Sequence, residues 1–192
     1  MYPHSPLTTR KIAILALLTF TLLLISAQGV WADEPVSATD LPRRLVISAI
    51  SLDSEIMAVG WRPVLIDGKV YGQWETANNV VGWHNLSARP GQVGNTVLAG
   101  HSDINAQVFR NLKDVEIGDE VVVFAGEQTY HYVVTQKFLV KEKGVSLQQR
   151  IENASWIAPT QDERMTLVTC ANPGATHRLI VVAIMPVTIA TQ

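Results

Sequence analysis

Cysteine is almost absent from this sequence: Cys170 is the only one in 192 residues. A single cysteine excludes an internal disulfide framework, and it excludes thiol-disulfide oxidoreductases that need a second, resolving cysteine. Four of the histidines, at positions 84, 101, 131 and 177, lack the spacing of metal ligands among themselves and relative to the cysteine. The sequence therefore predicts no metal site and no cofactor, and it leaves one unpaired thiol to be explained.

Runs of like charge are absent as well, and the formal net charge is only -2. Without a basic patch or stripe there is no electrostatic footprint for nucleic acid, so that class of partner is excluded. The hydrophobic content of 47% is sufficient for a packed core, and the length suits one domain with a short appendage.

The longest apolar run lies close to the N-terminus, at residues 12–27. Arg10 and Lys11 precede this run, and Asp33 and Glu34 follow it. An apolar run with basic residues before it is typical of a targeting segment that sends the following domain across the membrane. The sequence therefore predicts a domain that lies on the extracytoplasmic face of the cell membrane.

This segment fits either a cleaved signal or a retained anchor. The apolar run of 16 residues is shorter than the roughly 20 that span a bilayer, and Val30 and Ala32 fit a cleavage pattern. A helix extended through Trp31 makes a workable anchor with an interfacial aromatic side chain, and we expect this second arrangement. The predicted organisation is an N-terminal signal or membrane anchor, a linker and an exported domain: residues 1–32, 33–42 and 43–192.

The exported domain consists mainly of short apolar runs separated by turn residues. Alternation with period two and enrichment in Val, Ile, Thr and Tyr favour strands, so we expect an all-β sandwich or barrel. Two segments have helical spacing instead and are predicted as short connections: residues 106–114 and 146–153. The predicted strand runs are residues 44–50, 64–72, 95–100, 119–126, 128–140, 165–170 and 178–186.

Three side chains with nucleophilic, basic or cationic groups lie at the ends of predicted strands. Cys170 ends one strand, and a turn containing Asn-Pro-Gly leads to the next strand, which opens with Arg178. An antiparallel pairing of these two strands places both residues at the same end. His101 stands at the exit of a third strand, after Gly100, which permits close approach of the backbone. Three strand ends are therefore able to converge on one rim.

Such a rim supports nucleophilic acyl transfer. A cation stabilises the attacking thiolate, a histidine hands a proton to a leaving amine, and an arginine donates hydrogen bonds to the oxyanion. Each residue also has a structural interpretation, because a lone cysteine is often buried in a core, a Gly-His pair often marks a turn, and an arginine that opens a strand is often only solvated. We assign no role to the other histidines: His84, His131 and His177.

The motifs around these residues resemble those of the sortases, the cysteine transpeptidases of the bacterial cell surface. TLVTC at 166–170 resembles the TLxTC signature of the nucleophile, NTVLAGH at 95–101 is similar to the segment that carries the histidine, and RLIVVA at 178–183 resembles the strand opened by the arginine. The resemblance extends from about Leu45 to Pro186. Ser48 departs from it, since many relatives have proline there, and this departure leaves the subfamily open.

This resemblance implies a closed eight-stranded sortase-type β-barrel with one or two short connecting helices, preceded by the N-terminal hydrophobic helix. Cys170 would attack a Thr-Gly type bond in a C-terminal, LPxTG-like sorting signal of a secreted protein and form a thioester. His101 would protonate the leaving amine, and Arg178 would stabilise the oxyanion. An amine of a cell-wall precursor or of another surface protein would resolve the thioester. Thr169 is a further, weaker candidate for contact with substrate through its backbone.

Two alternatives remain open at this point. A secreted cysteine hydrolase would use the same three residues and pass the acyl group to water. A non-catalytic exported β-barrel domain would keep the cysteine as a structural residue. The sequence leaves open the sorting signal, the amine acceptor, dependence on calcium and the oligomeric state.

Overall fold

The structure, a computed structural model, describes residues 40–66, 68–171 and 174–186. These residues all belong to one compact unit, Ser37–Gln192. The predicted anchor over residues 1–32 lies outside the described residues, as does most of the predicted linker. Among the helices that are described, none is long and apolar enough to cross a bilayer.

The predicted eight-stranded barrel is confirmed. The described residues form ten strands: β1 (Pro42–Ile47), β2 (Leu52–Val59), β3 (Trp61–Ile66), β4 (Lys69–Trp74), β5 (Val81–His84), β6 (Gly94–Ala99), β7 (Glu120–Ala125), β8 (Gln128–Lys141), β9 (Glu163–Ala171) and β10 (His177–Ile184). Eight of them close in the order β1-β2-β5-β6-β9-β10-β8-β7, and β7 pairs back with β1. The β2-β5 and β6-β9 pairs are parallel. Strands β3 and β4 form a separate hairpin.

One of the two predicted helices is present. Helix α1 (Leu147–Ala154) begins after Ser146, whose hydroxyl caps it by accepting a hydrogen bond from the backbone N–H of Gln149. The other prediction, a helix over residues 106–114, is wrong. Tight turns occupy that stretch and end in a short 3-10 helix, Leu112–Asp114.

The backbone explains why residues 106–114 do not form an α-helix. Gln107 has a left-handed φ of 51°, which an α-helix does not accommodate. The N–H groups of Arg110 and Leu112 donate to the carbonyls three residues earlier, and the N–H of Phe109 donates back to His101. Phe109 and Leu112 are fully buried, so their spacing of three reflects packing against the end of the barrel.

Two barrel strands, β2 and β5, are missing from the predicted runs. β2 carries polar side chains on its outer face, where Asp53 binds Arg44 of β1 through two hydrogen bonds of 2.6 and 2.7 Å. β5 has only four residues and includes Gly82. Neither strand has the apolar alternation on which the prediction relied.

Strands β6, β9 and β10 are buried on both faces. Their inner side chains, such as Leu98, Leu167 and Val181, belong to the barrel core. Their outer side chains are buried as well: Val97, Thr166, Ile180 and Val182 are at most 2% exposed. A second apolar layer therefore lies on the outside of these three strands.

Part of this outer layer lies beneath residues 154–160, which we call the covering segment. The side-chain amide of Asn95 on β6 donates to the backbone carbonyls of Trp156 and Ala158 at 3.0 and 3.2 Å. The ring of Trp156 also packs on Phe138 of β8, with 4.5 Å between centroids. These contacts attach the covering segment to the outside of the barrel.

His84, at the end of β5, is a buried ionisable residue of this fold. Its ring stacks on Trp74 with a centroid distance of 4.1 Å and an interplanar angle of 8°. Its Nδ1 atom is buried and has no hydrogen-bond partner among the described residues. Burial lowers the pKa of His84 from 6.5 to about 4, because an imidazolium would lose its hydration there.

We expect this burial to make the stability of the protein dependent on pH. Because the pKa of His84 is lower in the folded than in the unfolded protein, stability is complete above about pH 6.5 and falls as the pH drops toward 4, by at most about 3 kcal/mol. Urea unfolding of the wild type and of His84→Phe over this range tests the prediction. Phenylalanine keeps the stacking and does not titrate, so parallel profiles for the two proteins would contradict it.

Candidate active site

The register between β9 and β10 fixes the relation between two of the predicted site residues. Cys170 lies directly opposite Arg178 in this antiparallel pair. Residues that are directly opposite in such a ladder project from the same face of the sheet, with Cβ atoms about 5 Å apart. The thiol and the guanidinium therefore start from neighbouring positions on the outer face.

The third predicted residue follows the end of the adjacent strand. β6 and β9 run parallel, with Ala99 opposite Val168, and the N–H of Gly100 donates to the carbonyl of Val168 at 3.2 Å. Continuing this register by two residues brings His101 beside Cys170. A Cβ atom on Gly100 would lie 2.7 Å from the side chain of Val108, so glycine is required at this crossing.

Two side-chain hydrogen bonds connect the ends of β6 and β9. The hydroxyl of Thr169 donates to the carbonyl of Gly100, and the hydroxyl of Ser102 donates to the carbonyl of Cys170, both at 2.7 Å. The bonds lie on either side of His101 in the sequence, so they restrain its backbone relative to the cysteine. Ser102 is absent from the predicted site residues, because a serine after a Gly-His pair carries no signal of its own.

The structure therefore brings Cys170, His101 and Arg178 to one rim and orients Thr169 differently. The first three are half-buried, which leaves them accessible to a substrate. Thr169 is 4% exposed and its side chain is directed toward the inside of the barrel. The predicted contact between its backbone and a substrate remains a prediction.

The functional groups at the rim have few partners within the protein. Within the described residues, neither the thiol of Cys170 nor the imidazole of His101 makes a hydrogen bond. Among the described residues, the guanidinium of Arg178 has only two polar contacts, both long, at 3.4 and 3.5 Å, to the carbonyls of His177 and Ala175. Such long bonds are weak, so the guanidinium is available to a ligand. No cluster of three or more His, Cys, Asp or Glu side chains that would suit a metal ion occurs in the described part of the chain.

Two cavities adjoin the rim. One, of about 610 Å³, includes Cys170 and lies at the mouth of the barrel, where Arg110, Lys113 and Lys137 surround an apolar floor. The other, of about 790 Å³, includes His101 and is lined by both polar and apolar side chains between the β3-β4 hairpin and the loop after β6. Cys170 and His101 thus border separate openings.

We expect the buried hydroxyl of Thr169 to contribute to stability. Thr169→Val keeps the shape of the side chain but leaves the carbonyl of Gly100 without this donor, and the free energy of unfolding should fall by about 1–3 kcal/mol. Chemical denaturation measures this loss. The control is Thr135→Val, which removes a longer, half-buried bond of 3.3 Å to Val182. If both variants lose the same free energy of unfolding, the bond from Thr169 to Gly100 contributes no more to stability than the longer bond does.

Known proteins with similar sequences all belong to one family in the matches that follow. The sequence profile of the sortase domain matches residues 45–185. Sortase A of Listeria monocytogenes is 30% identical over 133 residues, which are 67% of this chain and 55% of that protein. The match thus spans little more than half the length of this relative.

Solved structures show the same fold. A sortase D5 transpeptidase of Clostridium perfringens is similar with a TM-score of 0.57 and 26% identity, over 77% of this chain and 79% of that chain. Sortase A of Corynebacterium diphtheriae has a TM-score of 0.59 at 23% identity, over 82% and 66% of the two chains. Because the family profile covers most of the chain and its fold is shared, the protein belongs to the sortase family.

Proposed function

We propose that this protein is a cysteine transpeptidase that cleaves the C-terminal sorting signal of secreted proteins and transfers the acyl group to an amine. The observation that carries the proposal is the direct cross-strand pairing of Cys170 with Arg178, next to the strand end that carries His101. A nucleophile, an oxyanion partner and a proton donor are the three groups that acyl transfer needs.

The first half of the reaction forms a thioester. The thiolate of Cys170 attacks the carbonyl carbon of the scissile bond, and the negative charge moves to the carbonyl oxygen, where Arg178 donates hydrogen bonds. The C–N bond then breaks as the oxyanion collapses. The imidazolium of His101 gives its proton to the departing nitrogen, which leaves as a neutral amine.

The second half reverses these roles. The nitrogen of an acceptor amine attacks the thioester carbon, and the neutral imidazole of His101 takes the proton that this nitrogen loses. When the second tetrahedral intermediate collapses, the C–S bond breaks, a new amide forms and the cysteine returns as thiolate. The acceptor would be an amine of a cell-wall precursor or of another surface protein.

The outer face of β9 and β10 is suited to hold the acyl part of the substrate. Val168 and Ile180 are directly opposite each other on this face, two residues before Cys170 and two after Arg178. Ile180 is buried, whereas Val168 is half-buried, so the apolar layer becomes accessible close to the cysteine. An extended peptide with apolar side chains fits this surface.

We also propose the cellular arrangement expected from the sequence. Residues 1–32 would anchor the chain in the cell membrane, and residues 33–42 would connect this anchor to the catalytic domain at 43–192. The basic residues before the apolar run and the acidic ones after it support an extracytoplasmic domain. A domain in this position would meet its secreted substrates as they emerge.

The central test is transpeptidation by the exported domain. Incubation with LPxTG-like peptides and an amine should give a ligated product and a thioester adduct on Cys170, both detected by mass spectrometry. Cys170→Ala should form neither and should unfold like the wild type. Free acid as the sole product would instead indicate a hydrolase. A thiol that resists mild alkylation, with no turnover, would indicate a structural cysteine.

A second test addresses Arg178. Arg178→Lys replaces a planar, multidentate donor with a single ammonium group, and we expect thioester formation to slow by about 10²- to 10³-fold. The matched control is Arg43→Lys, at an exposed arginine on β1, which is separated from β9 and β10 by other strands of the barrel, and which should retain the wild-type rate. Single-turnover measurements separate this step from transfer to the amine. Equal rates for the two variants would exclude the proposed role.

A further inference from the structure

Ser102 has no chemical role in the reaction proposed above, although it lies between two residues that do. It follows His101 directly in the sequence, it is half-buried, and it lines the cavity that includes Cys170. Its hydroxyl donates a hydrogen bond to the carbonyl of Cys170 at 2.7 Å. A polar group next to both the base and the nucleophile is positioned to contact a substrate.

The hydrogen bond of Ser102 takes the place of a backbone bond. The N–H of Gly100 donates to the carbonyl of Val168, and in a continued parallel ladder the N–H of residue 102 would donate to the carbonyl of residue 170. The side-chain hydroxyl of Ser102 donates there instead. Backbone pairing between β6 and β9 therefore ends before Cys170, and Ser102 Oγ lies where the two strands separate.

The hydroxyl of Ser102 has an unused capacity to accept hydrogen bonds. A serine hydroxyl has one hydrogen and two lone pairs. The bond to Cys170 uses the hydrogen, because a carbonyl oxygen can only accept. Within the described part of the chain, no N–H or O–H group donates to Ser102 Oγ. A ligand that binds this oxygen must therefore supply a donor.

The attacking amine is a donor that the reaction brings to this position. A neutral primary amine has one lone pair and two N–H groups. The lone pair attacks the thioester carbon, and one N–H gives its proton to His101, so the second N–H needs a separate partner. Positive charge develops on the nitrogen during the attack, which makes this second N–H a stronger donor.

The distances allow such a contact. In a reactive arrangement the amine nitrogen lies about 3–3.5 Å from the thioester carbon, and a hydrogen bond from this nitrogen spans about 3 Å more. Ser102 Oγ is 2.7 Å from the carbonyl oxygen of the same cysteine that carries the thioester. One nitrogen is therefore able to reach both the thioester carbon and the serine oxygen.

We infer that Ser102 binds the attacking amine: its Oγ accepts a hydrogen bond from the second N–H and thereby selects primary over secondary amines. A secondary amine has only one N–H, and the proton transfer to His101 uses it. The inference deepens the proposed function and rests on it. It assigns to this enzyme a residue that selects the substrate of the second half-reaction, after the thioester has formed.

The experiment is a competition between two amines for one thioester. An LPxTG-like peptide is incubated with equal concentrations of glycinamide and its N-methyl analogue, sarcosinamide, and the two ligated products are quantified by mass spectrometry. We expect the wild type to prefer glycinamide. Ser102→Thr keeps the hydroxyl and should keep this preference, whereas Ser102→Val has a side chain of the same size without a hydroxyl. In Ser102→Val the preference should fall about three- to tenfold, which corresponds to the loss of one hydrogen bond.

Two further variants complete the design. Ser102→Ala should lose the preference like Ser102→Val, and it decides the question if the valine variant does not fold. Ser87→Ala should keep the preference, because this half-buried serine accepts from the N–H of Val97 toward the other end of β6. The product ratio does not depend on how fast the thioester forms, so a variant that is only less well ordered keeps the wild-type ratio.

The outcomes separate this inference from the proposed function. Equal preferences in Ser102→Thr, Ser102→Val and Ser102→Ala would overturn the inference alone, because ligation would still occur. A wild type that ligates both amines equally well would overturn it too. If the wild type forms no thioester with any LPxTG-like peptide, the proposed function is wrong and the inference fails with it.

Discussion

The antiparallel register between β9 and β10 is the constraint on which the active rim depends. It places Cys170 opposite Arg178 irrespective of how the intervening turn is arranged, because eight consecutive residue pairs define the alignment of the two strands. A slip of one residue would move the cysteine to the other face of the sheet. The inner residues of β9, such as Leu167, are fully buried, so such a slip would also remove apolar side chains from the core. Packing of the core therefore fixes the geometry of the chemical groups.

Much of this arrangement was predictable from the sequence, since it follows from strand patterns and one turn. The apolar runs that contain Cys170 and Arg178 are regular, and the turn between them implies an antiparallel pair. The predicted position of His101 followed from a third apolar run, which is equally regular. The resemblance to sortases then supplied the closure of the barrel, which no local pattern specifies.

The parts that were missed depend on contacts between distant residues. The apolar spacing of Phe109 and Leu112 predicts a helix, yet it arises from packing against the barrel end, and the backbone there makes turns instead. The hydroxyl of Ser102 donates a hydrogen bond to the carbonyl of Cys170, which lies 68 positions later in the sequence. No residue pattern near the serine indicates this bond. The neighbours of His84 come from distant parts of the sequence. Only the structure therefore shows that its Nδ1 atom has no hydrogen-bond partner among the described residues.

The β3-β4 hairpin shows how this fold accommodates insertion. Within the described part of the chain, its two strands pair only with each other, and the hairpin lies within the crossover that the parallel β2-β5 pair requires. Its base is held where Trp74 stacks on His84, while Leu65 and Val70 near its tip are at least 70% exposed. Residues gained or lost at the tip during evolution would leave every barrel ladder unchanged, so the size of this appendage can diverge among relatives without altering the catalytic register.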